Sequence, residues 1–227
     1  MKKLLLTSDG VTNATIRTAL VDLLGKPIEE CNALCIPTAM YGHPWVGPGV
    51  KAWKFIAGES ENPMVALGWK SVGVLELTAL PSLPRERWEP TVREADVLLA
   101  AGGDAVYLSH WMTESGLAEL MPSLTDTVWV GMSGGSMALT PRIGEWFVGW
   151  RASETADDAA LGLVDFSIFP HLDNPGLPTN TMENATKWAA MLGNPAYAID
   201  ADTAIVVSDG NVNVVSEGHW RLFGADV

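Results

Sequence analysis

Short, continuously apolar runs alternate along the chain with longer stretches in which apolar residues recur at helical spacing. A continuously apolar run is typical of a strand that is buried on both faces, as in a parallel sheet covered by helices. The pattern predicts strands at 3–7, 33–37, 71–77, 96–101 and 127–132. It predicts helices at 12–24, 50–67, 85–94, 106–120 and 134–139, the second interrupted near Gly58. This alternation predicts an α/β fold with a mostly parallel sheet covered by helices on both faces.

The pattern changes after Pro141. Two extended segments and a helix are predicted there, followed by three short strands; the ranges are 145–151, 163–169, 182–192, 196–199, 204–207 and 212–215. The sequence Asp209-Gly210-Asn211 between the last two strands is typical of a tight hairpin. We therefore expect an antiparallel addition at the C-terminal end of a single domain, residues 1–227, since no linker interrupts the pattern.

The charge balance narrows the class of partner. The 227 residues include 14 Lys and Arg against 27 Asp and Glu, which gives a formal net charge of −13. A surface of that sign repels phosphate backbones and anionic lipid. We therefore expect a small substrate and neither a nucleic-acid nor a membrane partner. A separate expectation is that the chain is a monomer or a small homo-oligomer.

The N-terminal segment and the cysteines give expectations about the cellular compartment and the cofactors. The apolar run that begins at Leu4 ends at Thr7, which is too short for a secretory signal, so a cytoplasmic protein is expected. Cys31 and Cys35 are too few for a disulfide framework or a zinc site, and we expect two reduced thiols. No motif requires a metal or an organic cofactor.

A G-x-S-x-G motif, Gly131-Met132-Ser133-Gly134-Gly135, follows a predicted strand and precedes a predicted helix. In that context a serine stands on a sharp turn that exposes its hydroxyl, and glycines are needed because a Cβ would clash with neighbouring backbone. Ser133 is the candidate nucleophile; the alternative is a structural turn serine. Ser136, one turn later, is expected to pack or cap.

A second glycine motif, Gly102-Gly103-Asp104, ends the preceding predicted strand. In an open α/β sheet the carboxyl ends of the strands are where ligands bind. The backbone N–H groups of Gly103 and Gly134 are the candidate donors of an oxyanion hole. The alternative is an ordinary turn, and Asp104 is expected to cap the following helix in either case.

A serine nucleophile requires a base, and the chain has four histidines. His171 follows an apolar run in Phe169-Pro170-His171 and is the favoured candidate because catalytic groups gather at strand ends. His43 lies in a Gly/Pro-rich loop suited to a lid, His110 within a helix and His219 near the C-terminus. The aromatic segment 145–150 either lines a pocket or packs in the core.

These motifs together resemble the peptidase E (aspartyl dipeptidase) family of serine peptidases, whose relatives include cyanophycinase. The resemblance covers almost the whole chain and rests on these segments: 3–8, 36–39, 102–108, 131–135, 169–171 and 199–204. It implies a fold similar to class I glutamine amidotransferases, with serine in place of their cysteine. It also implies Ser133 as nucleophile, His171 as base and an oxyanion hole near Gly103 and Gly134. The family cleaves dipeptides that begin with aspartate, and cyanophycinase cleaves a β-aspartyl-arginine polymer.

The chain departs from the family pattern at two positions. The family's third catalytic residue is usually a glutamate, and Ala201 stands in its place, so either a flanking carboxylate orients His171 or the site is a Ser–His dyad. Of the two flanking carboxylates, Asp200 and Asp202, we favour Asp202; the alternative is a turn aspartate.

The second departure concerns an arginine suited to a substrate carboxylate, which the family usually carries after the histidine and which segment 179–184 lacks. Because methionine and its neighbours there do not replace a guanidinium, the resemblance does not extend to aspartate specificity. The candidate substrate-binding residues are Asp104, Arg142 and Arg151.

Three functional hypotheses follow. The first is a serine peptidase that hydrolyses short peptides, N-terminal Asp-X dipeptides among them. The second is a non-catalytic ligand-binding member of the same fold. The third is an esterase of the α/β-hydrolase kind, in which the histidine comes last in the chain and His219 replaces His171 as base.

Overall fold

The computed structural model describes residues 1–44 and 49–224. The strands of this part of the chain are β1 (Lys3–Thr7), β2 (Asn32–Ile36), β3 (Ser71–Val74), β4 (Val97–Ala100), β5 (Val128–Met132), β6 (Ser167–Phe169), β7 (Ala196–Ile199), β8 (Thr203–Ser208), β9 (Asn211–Ser216) and β10 (Trp220–Phe223). The helices are α1 (Ala14–Leu24), α2 (Ala39–Gly42), α3 (Val50–Ile56), α4 (Glu89–Glu94), α5 (Ala105–Glu114), α6 (Leu117–Leu120), α7 (Gly134–Met137) and α8 (Met182–Leu192).

Seven strands form the main sheet in the order β3-β2-β4-β5-β1-β8-β9. The first five are parallel to one another, whereas β8 is antiparallel to β1 and β9 to β8. Asp209 and Gly210 form the two-residue loop between β8 and β9, and both have positive φ (48° and 84°), as a tight hairpin requires. The mostly parallel sheet and its antiparallel C-terminal addition are confirmed.

The apolar strands are buried because helices cover both faces of this sheet. On β1, Leu4 and Leu6 face one hydrophobic cluster and Leu5 faces the other, and all three are at most 4% exposed. Successive strand side chains point to opposite faces, so a strand buried on both sides needs no polar alternation. Removing this apolar surface from water, at roughly 25 cal/mol per Å², is the main stabilising contribution.

Helix ends follow the local chemistry of the chain. The Asn13 side chain accepts a hydrogen bond from Ile16 N at the start of α1, and Gly25 ends that helix with φ 70°. The Thr181 side chain caps α8 in the same way, and Gly193 (φ 74°) ends it. Side-chain oxygens satisfy the first free N–H groups, and glycine adopts the left-handed end without strain.

A second sheet of three strands, in the order β10-β7-β6, lies beside the main one. β6 is parallel to β7, and β10 is antiparallel to it. Its cluster contains Phe169 and Trp188, whose rings meet edge-on at 5.4 Å. The sequence analysis missed β10 and this separate sheet, because the strand is mostly exposed and lacks an apolar run.

Three predicted elements are shorter than expected or of another type. The helix predicted at 50–67 ends at Ile56, because Gly58 adopts φ 72°. The strand predicted at 71–77 ends at Val74, where it forms the edge of the main sheet. Glu145–Phe147, expected to be extended, forms a single 3-10 turn.

Cys31 and Cys35 are buried free thiols. Burial raises the pKa of Cys35 to about 11. Among residues 1–44 and 49–224, no helix has the length and apolarity to cross a membrane, and no cluster of three His, Cys, Asp or Glu side chains is arranged to hold a metal ion.

Candidate active site

Ser133 stands on a sharp turn between β5 and α7, with φ 50° and ψ −115°. A non-glycine residue in that region is strained and persists only where its surroundings hold it. Glycines make the turn possible: a Cβ at Gly131 would lie 2.6 Å from the Gly135 carbonyl oxygen, and one at Gly135 would lie 2.8 Å from the Ala101 carbonyl oxygen. The motif therefore forms the turn for which its glycines were predicted.

The end of β1 holds this turn from behind. Ser133 N donates to the Thr7 carbonyl at 2.9 Å. The Ser136 hydroxyl accepts from Thr7 N at 2.9 Å and donates to Thr7 O at 2.8 Å, while the Thr7 hydroxyl donates to Gly131 O at 2.8 Å. Thr7, Gly131 and Ser136 are buried, so the bonds among them are shielded from water. Ser136 thus packs against β1.

His171 comes directly after β6 and Pro170, and its Nε2 lies 2.8 Å from Ser133 Oγ. It too has a positive φ, 57°. Its backbone N–H donates to Ser8 Oγ at 2.8 Å, and that hydroxyl donates to the Ile199 carbonyl at 3.0 Å. The structure therefore brings together the two residues that the sequence analysis paired as nucleophile and base.

The carboxylate beside the histidine is Asp9. Its Oδ2 lies 3.1 Å from His171 Nδ1. The other ring nitrogen, Nε2, is the one that faces Ser133. Asn62 Nδ2 donates to Asp9 Oδ1 at 3.1 Å and to Asp9 O at 3.3 Å. These bonds orient the carboxylate toward the ring.

Sequence reasoning missed Asp9, although a signal was present. Asp9 follows β1, and β1 is parallel to β5, whose end carries Ser133. The carboxyl ends of adjacent parallel strands meet at one edge of a sheet. A polar residue directly after the first strand is therefore a candidate on the same grounds as the two glycine motifs.

Asp202, expected beside His171, lies elsewhere. Its carbonyl and Oδ1 accept from Asn13 Nδ2 at 3.0 and 3.4 Å, and its carbonyl also accepts from Glu217 N at 3.0 Å. In the described part of the chain no hydrogen bond joins it to His171. The physical reason is that Asp202 belongs to the turn between β7 and β8 and is bound to the start of α1, whereas Asp9 follows the strand next to the nucleophile's own.

The other histidines do not reach Ser133. His219, the base of the esterase hypothesis, contacts Asp173 and Asp200 instead. His110 packs against the rings of Trp111 and Trp150. His43 lines the cavity described below, and burial lowers its pKa. The remainder of the loop considered as a lid, residues 45–48, is outside the described residues.

The two candidate oxyanion-hole donors lie close together. Gly103 has φ 133°, and a Cβ there would overlap the Ala39 carbonyl; a Cβ at Gly134 would overlap the Gly103 carbonyl and lie 3.1 Å from Gly103 N. Among the residues that the structure describes, neither N–H has a recorded acceptor. This is the arrangement in which two backbone donors are available beside the serine.

Ser133 and His171 open into a cavity of about 990 Å³. Its lining includes these apolar side chains: Met132, Met137, Phe147, Val148 and Leu177. Phe147 also packs edge-on against Phe169 at 5.1 Å. The aromatic segment 145–150 therefore contributes both to the pocket and to the core, the two uses that its sequence left open.

Asp104 was a candidate for substrate binding, but its oxygens are occupied. Oδ1 accepts from Tyr107 N at 2.8 Å, and Oδ2 accepts from Gly149 N at 3.2 Å and Trp150 N at 2.6 Å. Burial raises the pKa of this carboxyl, and the three N–H donors oppose the rise. Asp104 caps α5 as expected and also holds the wall at 149–150, so it has a structural role.

Arg142 and Arg151 do not line the cavity. Arg142 Nη2 lies 2.7 Å from the fully buried Asp158 carboxylate, which also accepts from Gly144 N. Arg151 pairs with Glu145 and with the Ala156 carbonyl. Both guanidinium groups are used within the loop that follows α7, which corrects their assignment as substrate-binding residues.

A serine on a strained strand-to-helix turn, beside a histidine backed by a carboxylate on an α/β sheet, defines a site of the serine-hydrolase kind. The model of peptidase family S51 matches residues 4–215. The chain therefore belongs to peptidase family S51 and is a serine peptidase by that membership, which confirms the resemblance seen in its motifs.

Solved structures agree with this fold. A protein from Listeria monocytogenes EGD-e, provisionally described as peptidase E, is 23% identical with a TM-score of 0.70; the match covers 96% of this chain and 100% of that one. A peptidase from an acI-B1 actinobacterium is 19% identical with a TM-score of 0.62, and the match covers 98% of this chain and 97% of that one. No curated protein matches the chain.

Proposed function

We propose that this serine peptidase hydrolyses short peptides with Ser133 as nucleophile, His171 as general base and Asp9 as the carboxylate that orients the base. The observation that carries the proposal is the continuous hydrogen-bonded series from Asp9 Oδ2 through both ring nitrogens of His171 to Ser133 Oγ, with distances of 3.1 and 2.8 Å. Nucleophile, base and orienting group within hydrogen-bond reach are what activation of a serine requires.

In the first step, His171 Nε2 accepts the hydroxyl proton while Ser133 Oγ forms a bond to the substrate carbonyl carbon. Asp9 accepts the Nδ1 proton in a hydrogen bond, which keeps Nε2 free as the acceptor and stabilises the imidazolium that forms. The N–H groups of Gly103 and Gly134 donate to the oxyanion, where each such donor is worth about 3–4 kcal/mol.

The peptide C–N bond then breaks, and the leaving amine takes its proton from His171 Nε2, which leaves an acyl ester on Ser133. Water attacks that ester with His171 again as base, and the acid product leaves as Ser133 regains its proton. Every proton in the cycle passes through His171, so the reaction balances without a further group.

The cavity supports substrates whose acyl-side residue is uncharged. The two arginine candidates lie outside the cavity, and the Lys and Arg residues that line it among the described residues are Lys51 and Lys54, both exposed on α3. An exposed ammonium is a hydrated point charge and gives little of the bidentate recognition that a guanidinium gives a carboxylate. The apolar side chains in the lining suit an aliphatic or aromatic side chain of the substrate. We therefore expect apolar-X dipeptides to be better substrates than Asp-X.

The test is a dipeptide hydrolysis screen with Asp-X, Glu-X and apolar-X members, run on wild type, Ser133→Ala and the exposed-site control Ser153→Ala. We expect Ser133→Ala to lose activity by about 10⁴-fold or more while it keeps its fold, and Ser153→Ala to match wild type. A fluorophosphonate should label wild type stoichiometrically at Ser133. Full activity in Ser133→Ala would disprove the mechanism, and absence of labelling with absence of turnover would favour the binding-protein hypothesis. Faster turnover of Asp-X would overturn the proposed preference.

A further inference from the structure

The loop that carries His171 contains a second strained residue. His171 (φ 57°) and Asp173 (φ 53°) both adopt the left-handed region, which in other than glycine costs about 1 kcal/mol or more and must be compensated by contacts. Leu172 N donates to the Ile199 carbonyl at 3.0 Å, and Asp173 N donates to the Asn180 carbonyl at 2.6 Å. The position of the base thus depends on contacts that hold this short loop.

One of these contacts is made by a histidine outside the catalytic series. His219 Nε2 lies 2.8 Å from Asp173 Oδ2, while its Nδ1 lies 3.0 Å from Asp200 Oδ2. The His219 backbone N–H also donates to Asp200 Oδ2 at 2.6 Å. The Nε2 contact is a hydrogen bond, whereas Nδ1 only approaches Asp200, whose hydrogen bond comes from the His219 backbone N–H. His219 therefore bridges the base loop and the end of β7.

The Asp200 side of this bridge is firmly built. Asp200 is 8% exposed, and its Oδ1 accepts from the Thr203 hydroxyl at 2.6 Å and from Asp202 N at 3.1 Å. The carboxylate packs directly against the backbone of Gly218, where any Cβ would overlap it. His219 comes just before β10, and Trp220 pairs with Ile199 of β7. One end of the bridge is thus anchored in the second sheet.

We propose that His219 is a positioning residue of this peptidase: through Asp173 it holds the loop that presents His171 to Ser133. The proposal rests on the proposed function, since it needs His171 as the base. It assigns Asp200 and His219 a role in orienting the base through the loop, with no contact to the substrate. The Asp173 end is exposed, so the bridge is expected to contribute little to global stability and to act on the geometry of the site.

The experiment uses two substitutions that separate the ends of the bridge. In His219→Gln the amide nitrogen reaches roughly where Nε2 lies and can still donate to Asp173; in His219→Asn it lies roughly where Nδ1 lies and reaches Asp200 alone. We expect His219→Asn to lower kcat by about three- to tenfold with KM unchanged, because small misplacement of a catalytic group slows the chemical step. The rate of fluorophosphonate labelling should fall by the same factor, and His219→Gln should stay close to wild type.

Asp173→Gly is the second variant, since glycine removes the acceptor and also adopts the left-handed region. It should match His219→Asn, and the double variant should lose no more than either single one, because the two residues make one interaction. A downfield proton resonance from His171 Nδ1–H, diagnostic of its bond to Asp9, should broaden or shift in His219→Asn and remain in His219→Gln.

Wild-type kcat and labelling rate in His219→Asn and Asp173→Gly would overturn the proposal. The proposal would also be overturned if kcat fell equally in His219→Asn and His219→Gln and both variants had a lowered melting temperature. A merely structural role of His219 predicts that result. The outcome is distinct from failure of the proposed function, which is judged on Ser133→Ala: an active Ser133→Ala ends both ideas, whereas an inactive one with unaffected His219 variants ends this one alone.

Discussion

The two halves of the candidate site are held in different ways. The nucleophile turn is built into the main sheet, and its shape depends on glycines whose missing Cβ atoms let backbone pack on backbone. The base loop follows the second sheet, is largely exposed between 173 and 179, and is held by polar side chains from separate segments, Ser8 and His219 among them.

This difference shows which contacts determine the geometry of each half. The glycine turn between β5 and α7 can be recognised from a five-residue motif, although β1 and the segment after β4 hold it in place. The base loop has no such motif, and its geometry is the sum of several hydrogen bonds with distant partners. We therefore expect substitutions in the turn to lower the stability of the protein. Substitutions in the base loop are expected to lower its activity instead.

The largest effect is expected at the carboxylate that joins the two halves. Asp9→Asn should lower kcat by about 10³–10⁴-fold, because the amide no longer stabilises the imidazolium or the correct tautomer of His171. The control is Asp202→Asn, which should stay within about twofold of wild type in steady-state assays of dipeptide hydrolysis. A larger loss in Asp202→Asn than in Asp9→Asn would place the orienting group next to Ala201, the position at which the family carries its glutamate.

A matched pair of glycines compares the two regions directly. In Gly135→Ala the new methyl meets the carbonyls of β4 and the segment after it, and overpacking against backbone should destabilise the protein by about 3 kcal/mol. In Gly176→Ala, on the base loop, the nearest atom is the Asn174 side-chain oxygen at 3.2 Å, which can move. Urea denaturation measures both, and equal destabilisation would contradict the distinction between the regions.

The smallest effect is expected at Ser8, which bridges β1, the base and the end of β7. Ser8→Ala leaves His171 N and the Ile199 carbonyl without their partner, which should destabilise the protein by about 1–2 kcal/mol. Because the base is freed as well, kcat should fall while KM changes little. The exposed Ser82→Ala is the control, and a Ser8→Ala variant with wild-type kcat would show that the base is held without this bond.

Most of the fold and half of the candidate site followed from the sequence. Continuous apolar runs predicted the five parallel strands, and Gly25 and Asp104 predicted a helix end and a helix start. Ser133 and His171 were paired from a turn motif and a strand end. β10 could not be predicted, because an exposed edge strand carries no apolar signal, and neither could the partners of Arg142 and Arg151.

What the sequence determined by itself is what short segments signal: the apolar strands, the helix caps and the glycine motif of the serine turn, because each of these patterns involves neighbours in the chain. Only the tertiary structure decided which carboxylate meets the base. Asp9 and His171 stand 162 positions apart, and they meet because β1 lies beside β5 while the second sheet delivers the histidine to the same edge. Strand order is a property of the whole packed core, in which many distant contacts are satisfied together, so no single motif encodes it.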